Sequence, residues 1–156
     1  MLAPGQIIDT CDPELLRDTR RVADSHKLPI QVHAGQSPNE YERIRSQYGM
    51  STVEYMLDTG MLGPDCLIGH GQIMTADGNM ASLVANEVAA LRDSQTTVVH
   101  LPWVKARRGG VINSIHKYRQ LGIRQAPGTD SYPLTCLTTC GWLSLCAESW
   151  SAPFSP

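Results

Sequence analysis

Four short apolar runs, each closed by a titratable residue, constrain the fold of this 156-residue chain more than any other feature. Ile30-Gln31-Val32 leads to His33, and Cys66-Leu67-Ile68-Gly69 leads to His70. Thr96-Thr97-Val98-Val99 leads to His100, and a fourth run beyond Gly122 ends near Asp130. Short apolar runs of this kind fit strands buried on both faces, which belong to parallel sheets with helical crossovers. The closing residues fall 37, 30 and 30 positions apart. One strand, one helix and two loops take about 30 residues, so each interval holds a βα unit. Right-handed crossovers then place the helices outside the sheet. The fold class is α/β, with about four βα units.

Helices fit between these runs. Asp12-Pro13-Glu14 offers an N-cap, a first-turn proline and an early acid, and apolar residues recur at helical spacing up to about His26. Further helices are expected at about 38–48 and 51–59, separated by Gly49, then at about 79–93 and 110–121. Gly122 suits a C-cap. In parallel α/β folds, ligands bind at the carboxyl edge of the strands, which is where His33, His70, His100 and Asp130 are expected to gather.

Imidazoles and a carboxylate on one edge suit a Zn²⁺ site, and iron or manganese accept the same donors. Such an ion lowers the pKa of a bound water toward about 7. A neighbouring carboxylate can take the proton, and a histidine can orient the nucleophile or the developing oxyanion. Taken singly, a histidine at a strand end is more often a hydrogen-bonded structural residue; four such residues in phase are what point to a site. His26 and His116 lie on or at the ends of helices and read as surface residues. Cys136 and Cys140 have a C-x₃-C spacing without a second pair, and Arg107-Arg108-Gly109 reads as a solvated loop.

Composition narrows the function class. A formal net charge of -2 argues against a chain built to grip nucleic-acid phosphates. No stretch approaches the roughly 18 apolar residues that span a bilayer. Met1–Gln6 has neither a basic n-region nor a long apolar h-region, so no secretory signal is expected. Without one, the five cysteines do not read as a disulfide framework. The expectation is a cytoplasmic protein with a small-molecule substrate and no nucleic-acid or membrane partner.

The motifs that carry these residues resemble the amidohydrolase superfamily, and more narrowly its cytosine deaminase and triazine chlorohydrolase branch. They are Val32-His33-Ala34-Gly35-Gln36-Ser37, Leu67-Ile68-Gly69-His70-Gly71, Val99-His100-Leu101-Pro102 and Gly128-Thr129-Asp130-Ser131-Tyr132-Pro133. Asp9-Thr10-Cys11-Asp12-Pro13-Glu14-Leu15-Leu16 and Ala106-Arg107-Arg108-Gly109 match a subgroup of that branch. The resemblance covers about residues 3–133 and implies part of a distorted TIM barrel, strands five to eight, with a divalent metal at its carboxyl face. It implies His33 and Asp130 as metal ligands, and His70 as a second-metal ligand or a contact to the hydrolytic water. Asp130 and His70 would be the catalytic pair. Gln36 and His100 would contact substrate, His100 in a supporting role.

This chain departs from that pattern in three ways. It has no His-x-His pair for a first barrel strand, and it starts where a fourth strand would be ending. Gln36 stands where many deaminases of the branch carry glutamate; Glu40 offers a substitute acid, with a helix-start charge as its alternative role. Leu101 and Trp103 stand where smaller or polar residues are usual. Residues 134–156 also break with the rest, holding three cysteines, two of the three tryptophans, the only phenylalanine and one charged residue, Glu148. Read from the third base of each codon, the stretch after Pro133 permits Phe-Asp-Met-Phe-Asn-Asp-Met-Arg-Leu, the kind of sequence the family carries there. A frameshift near codon 133 would account for the tail.

The expectation is therefore a half barrel over 1–133 and an atypical tail over 134–156. The half barrel would belong to a metal-dependent hydrolase acting on C–N bonds, or displacing a ring substituent, of a nucleobase-like or triazine-like substrate. The competing class is a non-catalytic half barrel or pseudoenzyme acting by self-association or partner binding. A flavodoxin-like binding domain fits less well, because no glycine-rich phosphate loop follows any strand.

Overall fold

The computed structural model describes residues 1–74, 85–107 and 115–130. The tail of 134–156 and its cysteines lie outside the described residues. Five strands alternate with helices: β1 (Leu2–Gln6), α1 (Pro13–His26), β2 (Ile30–Ala34), α2 (Pro38–Tyr48), α3 (Thr52–Asp58), β3 (Cys66–His70), α4 (Ala85–Asp93), β4 (Thr97–His100), α5 (Pro102–Arg107), α6 (Ile115–Gln120) and β5 (Arg124–Pro127). All neighbouring strands pair in parallel, in the order β1-β2-β3-β4-β5. A doubly wound sheet reverses its strand order at a switch point. This one never does, so right-handed crossovers lay every helix on the same face.

Caps set the helix ends, the one at Asp12 as expected. The Asp12 side chain accepts from the Leu15 amide at 2.7 Å, with proline in the first turn of α1. Ser37 caps α2, and Gly49 closes it with a left-handed backbone (φ 70). Ser51 and Glu54 form a reciprocal capping box at α3. The core lies between sheet and helices. Ile30, Val32, Ala34, Cys66, Ile68 and Val98 present one side of the strands to Leu16, Ala23, Ile44, Met56 and Leu91.

Five strands, not four, stand in the described residues. Pro4 and Gly5 deplete β1 of strand signal, and the register shifts between Leu2 and Gly5. A proline is tolerated there because β1 is an edge strand. Helix α5 was also not expected; Pro102 opens it at a position where the ring suits a first turn. The expected helix at 79–93 is described from Ala85 and that at 110–121 from Ile115, their earlier parts lying outside the described residues. Among the described residues, no helix is long and apolar enough to cross a membrane.

Candidate metal centre

Parallel pairing brings the ends of β2 and β3 side by side, His33 opposite Gly69 and Ala34 opposite His70. Alternate residues of the strands face away from the helices. Gln31, His33, Leu67, Gly69, Val99 and Ala126 do so, and with Asp130 they line a cavity of about 320 Å³. His33 is therefore placed in the cavity by its phase within the strand. Gly69 makes room for it: a Cβ at 69 would lie 3.2 Å from His33 Nδ1.

His70 reaches the same spot by another route. Its phase, shared with Ile68, would direct it to the helix side. Its backbone instead takes a left-handed conformation, φ 74, unusual for a non-glycine residue. The His70 ring then stands 5.1 Å from that of His33. Asp130, three residues past β5 and also left-handed (φ 47), comes in from the far side. Its Oδ2 lies 3.5 Å from His70 Nε2, and its Oδ1 lies 3.9 Å from His33 Nε2. One ligand atom from each of the three residues lies within 4.8 Å of the others.

These donors fit a divalent metal. Two imidazole nitrogens and a carboxylate oxygen form an ordinary zinc donor set, and ligand distances of about 2.0–2.2 Å put neighbouring donors within a few ångströms of each other. Two of the three residues sit in left-handed backbone, the kind of local strain that persists where surrounding structure over-determines it. His33, His70 and Asp130 would hold the ion.

His100 and Gln36 stand apart from this cluster. His100 shares the phase of Val98, so it lies on the helix side. Its Nε2 is 2.7 Å from Gln125 Oε1, and its ring centroid is 5.8 Å from that of Tyr118. The Gln125 oxygen only accepts, so His100 Nε2 carries the proton. Burial lowers the His100 pKa, with the bond to Gln125 opposing, so the ring is neutral. His100 does not line the cavity. Gln36 follows β2 in a loop, half-buried and likewise outside the cavity lining.

Glu40 was read only as a helix-start charge or a substitute acid. Its carboxylate is 1% exposed and turns back toward the loop, away from solvent. It accepts from the Gly35 amide at 2.5 Å, from the Gln36 amide at 3.3 Å and from Gln6 Nε2 at 3.3 Å. Burial raises its pKa, and these hydrogen bonds oppose the rise. It thus ties the end of β1 to the loop that follows His33. The Ser37-Pro38-Asn39-Glu40 spacing is the sequence signal that could have exposed this backbone role.

Comparison with known proteins agrees with this architecture. The model described as "Amidohydrolase family" matches residues 9–146. The 5-methylthioadenosine/S-adenosylhomocysteine deaminase of Thermococcus sibiricus is 30% identical over 121 residues, which are 78% of this chain and 26% of that protein. An adenosine deaminase from Xanthomonas campestris, solved with bound zinc, superposes with a TM-score of 0.77 at 17% identity, over 96% of this chain and 33% of its own. An atrazine chlorohydrolase from Arthrobacter aurescens, solved with zinc, gives 0.68 at 20% identity, over 82% of this chain and 26% of its own. The chain thus spans about a quarter to a third of the proteins it matches. At these identities the structural likeness speaks to the fold, five parallel strands alternating with helices that match about a third of each of those chains. With the family match running through nearly the whole chain, the chain belongs to the amidohydrolase family.

Proposed function

We propose that this chain supplies three metal ligands and one wall of the active site of a metal-dependent hydrolase. The substrate would be nucleobase-like or triazine-like, attacked at a C–N bond or an equivalent ring substituent. The convergence of His33, His70 and Asp130 carries the reading. The names of the relatives, adenine-type deaminases and an atrazine chlorohydrolase, support the substrate class. A divalent ion bound there, zinc for preference, supplies Lewis acidity and lowers the pKa of a coordinated water toward about 7.

The residues divide the remaining work. Asp130, on the open side of the cluster, takes the proton from the attacking water and returns it to the leaving group. His70 would hold the ion through Nε2, the nitrogen that faces Asp130. His33 fixes the position of the ion against the cavity wall. Leu67, Val99 and Leu101 give an apolar surface on which a flat ring can lie. Gln36, in the loop after β2, and His100, on the helix side of the sheet, lie outside the cavity lining and would act as supports rather than as substrate contacts.

Titration of Zn²⁺ into the 156-residue chain tests this by calorimetry. One site is expected, lost in His33→Ala and in Asp130→Asn. Binding that survives both substitutions would overturn the proposal. A substrate panel of aminopurines and chlorotriazines, followed by ammonia or chloride release, then tests the substrate class.

A second reading has an observation of its own. Strands β1 and β5 are the two edges of the described sheet, so each presents backbone groups able to pair with another chain. A non-catalytic, self-associating role would follow if zinc binding fails while association persists.

A further inference from the structure

Behind the sheet, a buried polar group touches the turn that makes His70 a ligand. Tyr118, on α6, is fully buried, and its hydroxyl donates to the Gly71 carbonyl at 2.6 Å. Gly71 directly follows His70 and is itself left-handed, φ 56. Its N–H donates to the Ala34 carbonyl on β2 at 2.9 Å. A side chain at 71 would collide with Val98 Cγ1. The second of two consecutive left-handed residues is thus held at both its N–H and its carbonyl. One holder is a neighbouring strand and the other is the Tyr118 hydroxyl.

The tyrosine is itself braced. Its ring lies against His100, and His100 is fixed by its bond to Gln125 on β5. A chain of side chains from β5, β4 and α6 therefore ends in one hydrogen bond to the carbonyl beside a candidate ligand. Left-handed backbone is strained for a non-glycine residue, and it persists only when neighbours enforce it. Without its strained turn, His70 would fall back to its regular strand phase and leave Asp130.

We infer that Tyr118 is a positioning residue for the metal centre: its hydroxyl, backed by His100, holds Gly71 and so keeps His70 beside Asp130. This rests on the reading of His33, His70 and Asp130 as metal ligands. Tyr118 touches neither ion nor substrate and acts only through the turn.

Tyr118→Phe keeps the ring and removes the hydroxyl. In the full chain without metal, hydrogen exchange at the Gly71 amide is expected to quicken by about tenfold or more. Exchange at Val32, in the middle of β2, should stay unchanged. Co²⁺ alone then serves as a spectroscopic probe. Tyr118→Phe should weaken its binding about 10- to 100-fold, the range for residues that orient a ligand, and shift its visible absorption bands. The double variant Tyr118→Phe/His70→Ala should bind no worse than His70→Ala, because both changes remove the same ligand. Unchanged Gly71 exchange, or losses that simply add, would overturn the inference. Co²⁺ binding that survives His33→Ala and Asp130→Asn rejects the metal reading instead, and Gly71 exchange then decides the Tyr118 clamp alone. If Tyr118→Phe does not fold, Gln125→Leu, which frees His100 without touching Tyr118, takes its place with a smaller expected change in the same direction.

Discussion

His100 and His33 both close apolar runs, yet a one-residue difference in phase separates them. His33 pairs with Gly69, and Gly69 pairs with Val99, so Val99 and not His100 occupies the layer of His33. Because side chains alternate across a sheet, that single step moves His100 to the helix side. Its burial has a consequence for stability. The folded pKa is lowered, so the unfolded chain binds more protons below the ordinary value of about 6.5. Stability is then fully present above that value and declines as pH falls through it toward the folded pKa. Glu40, whose pKa is raised, works in the opposite sense just above the ordinary carboxylate range. Urea denaturation of metal-free protein at a series of pH values from about 7 to 5 should show a decline, at most about 1.4 kcal/mol per pH unit from one group. The decline should flatten in His100→Phe, and an identical slope in that variant would count against the assignment. His33, His70 and Asp130 were legible because their chemistry and spacing are unusual. Tyr118 was not, since a tyrosine on an amphipathic helix looks the same whether or not it holds a loop.

At the scale of elements, what could be read were the features with a local cause. Asp12-Pro13-Glu14 marked the start of α1, and Gly49 marked the end of α2, because caps act through neighbours a few residues away. Asp12→Ala should therefore cost about 1 kcal/mol of stability in urea denaturation, with no effect on zinc affinity. β1 escaped notice because its identity as a strand comes from pairing with β2, against the local preference of Pro4 and Gly5. The left-handed turn at His70 was likewise invisible: nothing in Gly69-His70-Gly71 states that the histidine itself departs from strand geometry.

Over the whole molecule, the sequential strand order gives a sheet in which β1 and β5 are not paired with each other among the described residues. The alternation of runs and helices foretold this, because the βα period sets both parallel pairing and the side on which helices lie. Both edge strands contain proline, Pro4 in β1 and Pro127 in β5, which blunts pairing without abolishing it. Light scattering of the purified chain should report a mass above 17.1 kDa that grows with concentration. A constant monomer mass would show that the edges are protected.

The same strand order also sets when the candidate ligands meet. Each strand pairs with the one made just before it, so the sheet can grow in the direction of synthesis with little loop to close at each step. His33 and His70 come together once β3 docks on β2, but Asp130 follows β5 and joins only after the last described strand is laid down. The carboxylate is the final piece. A nascent chain would carry a two-histidine half-site until then, and tight capture of the ion would mark the moment at which the fifth described strand is in place.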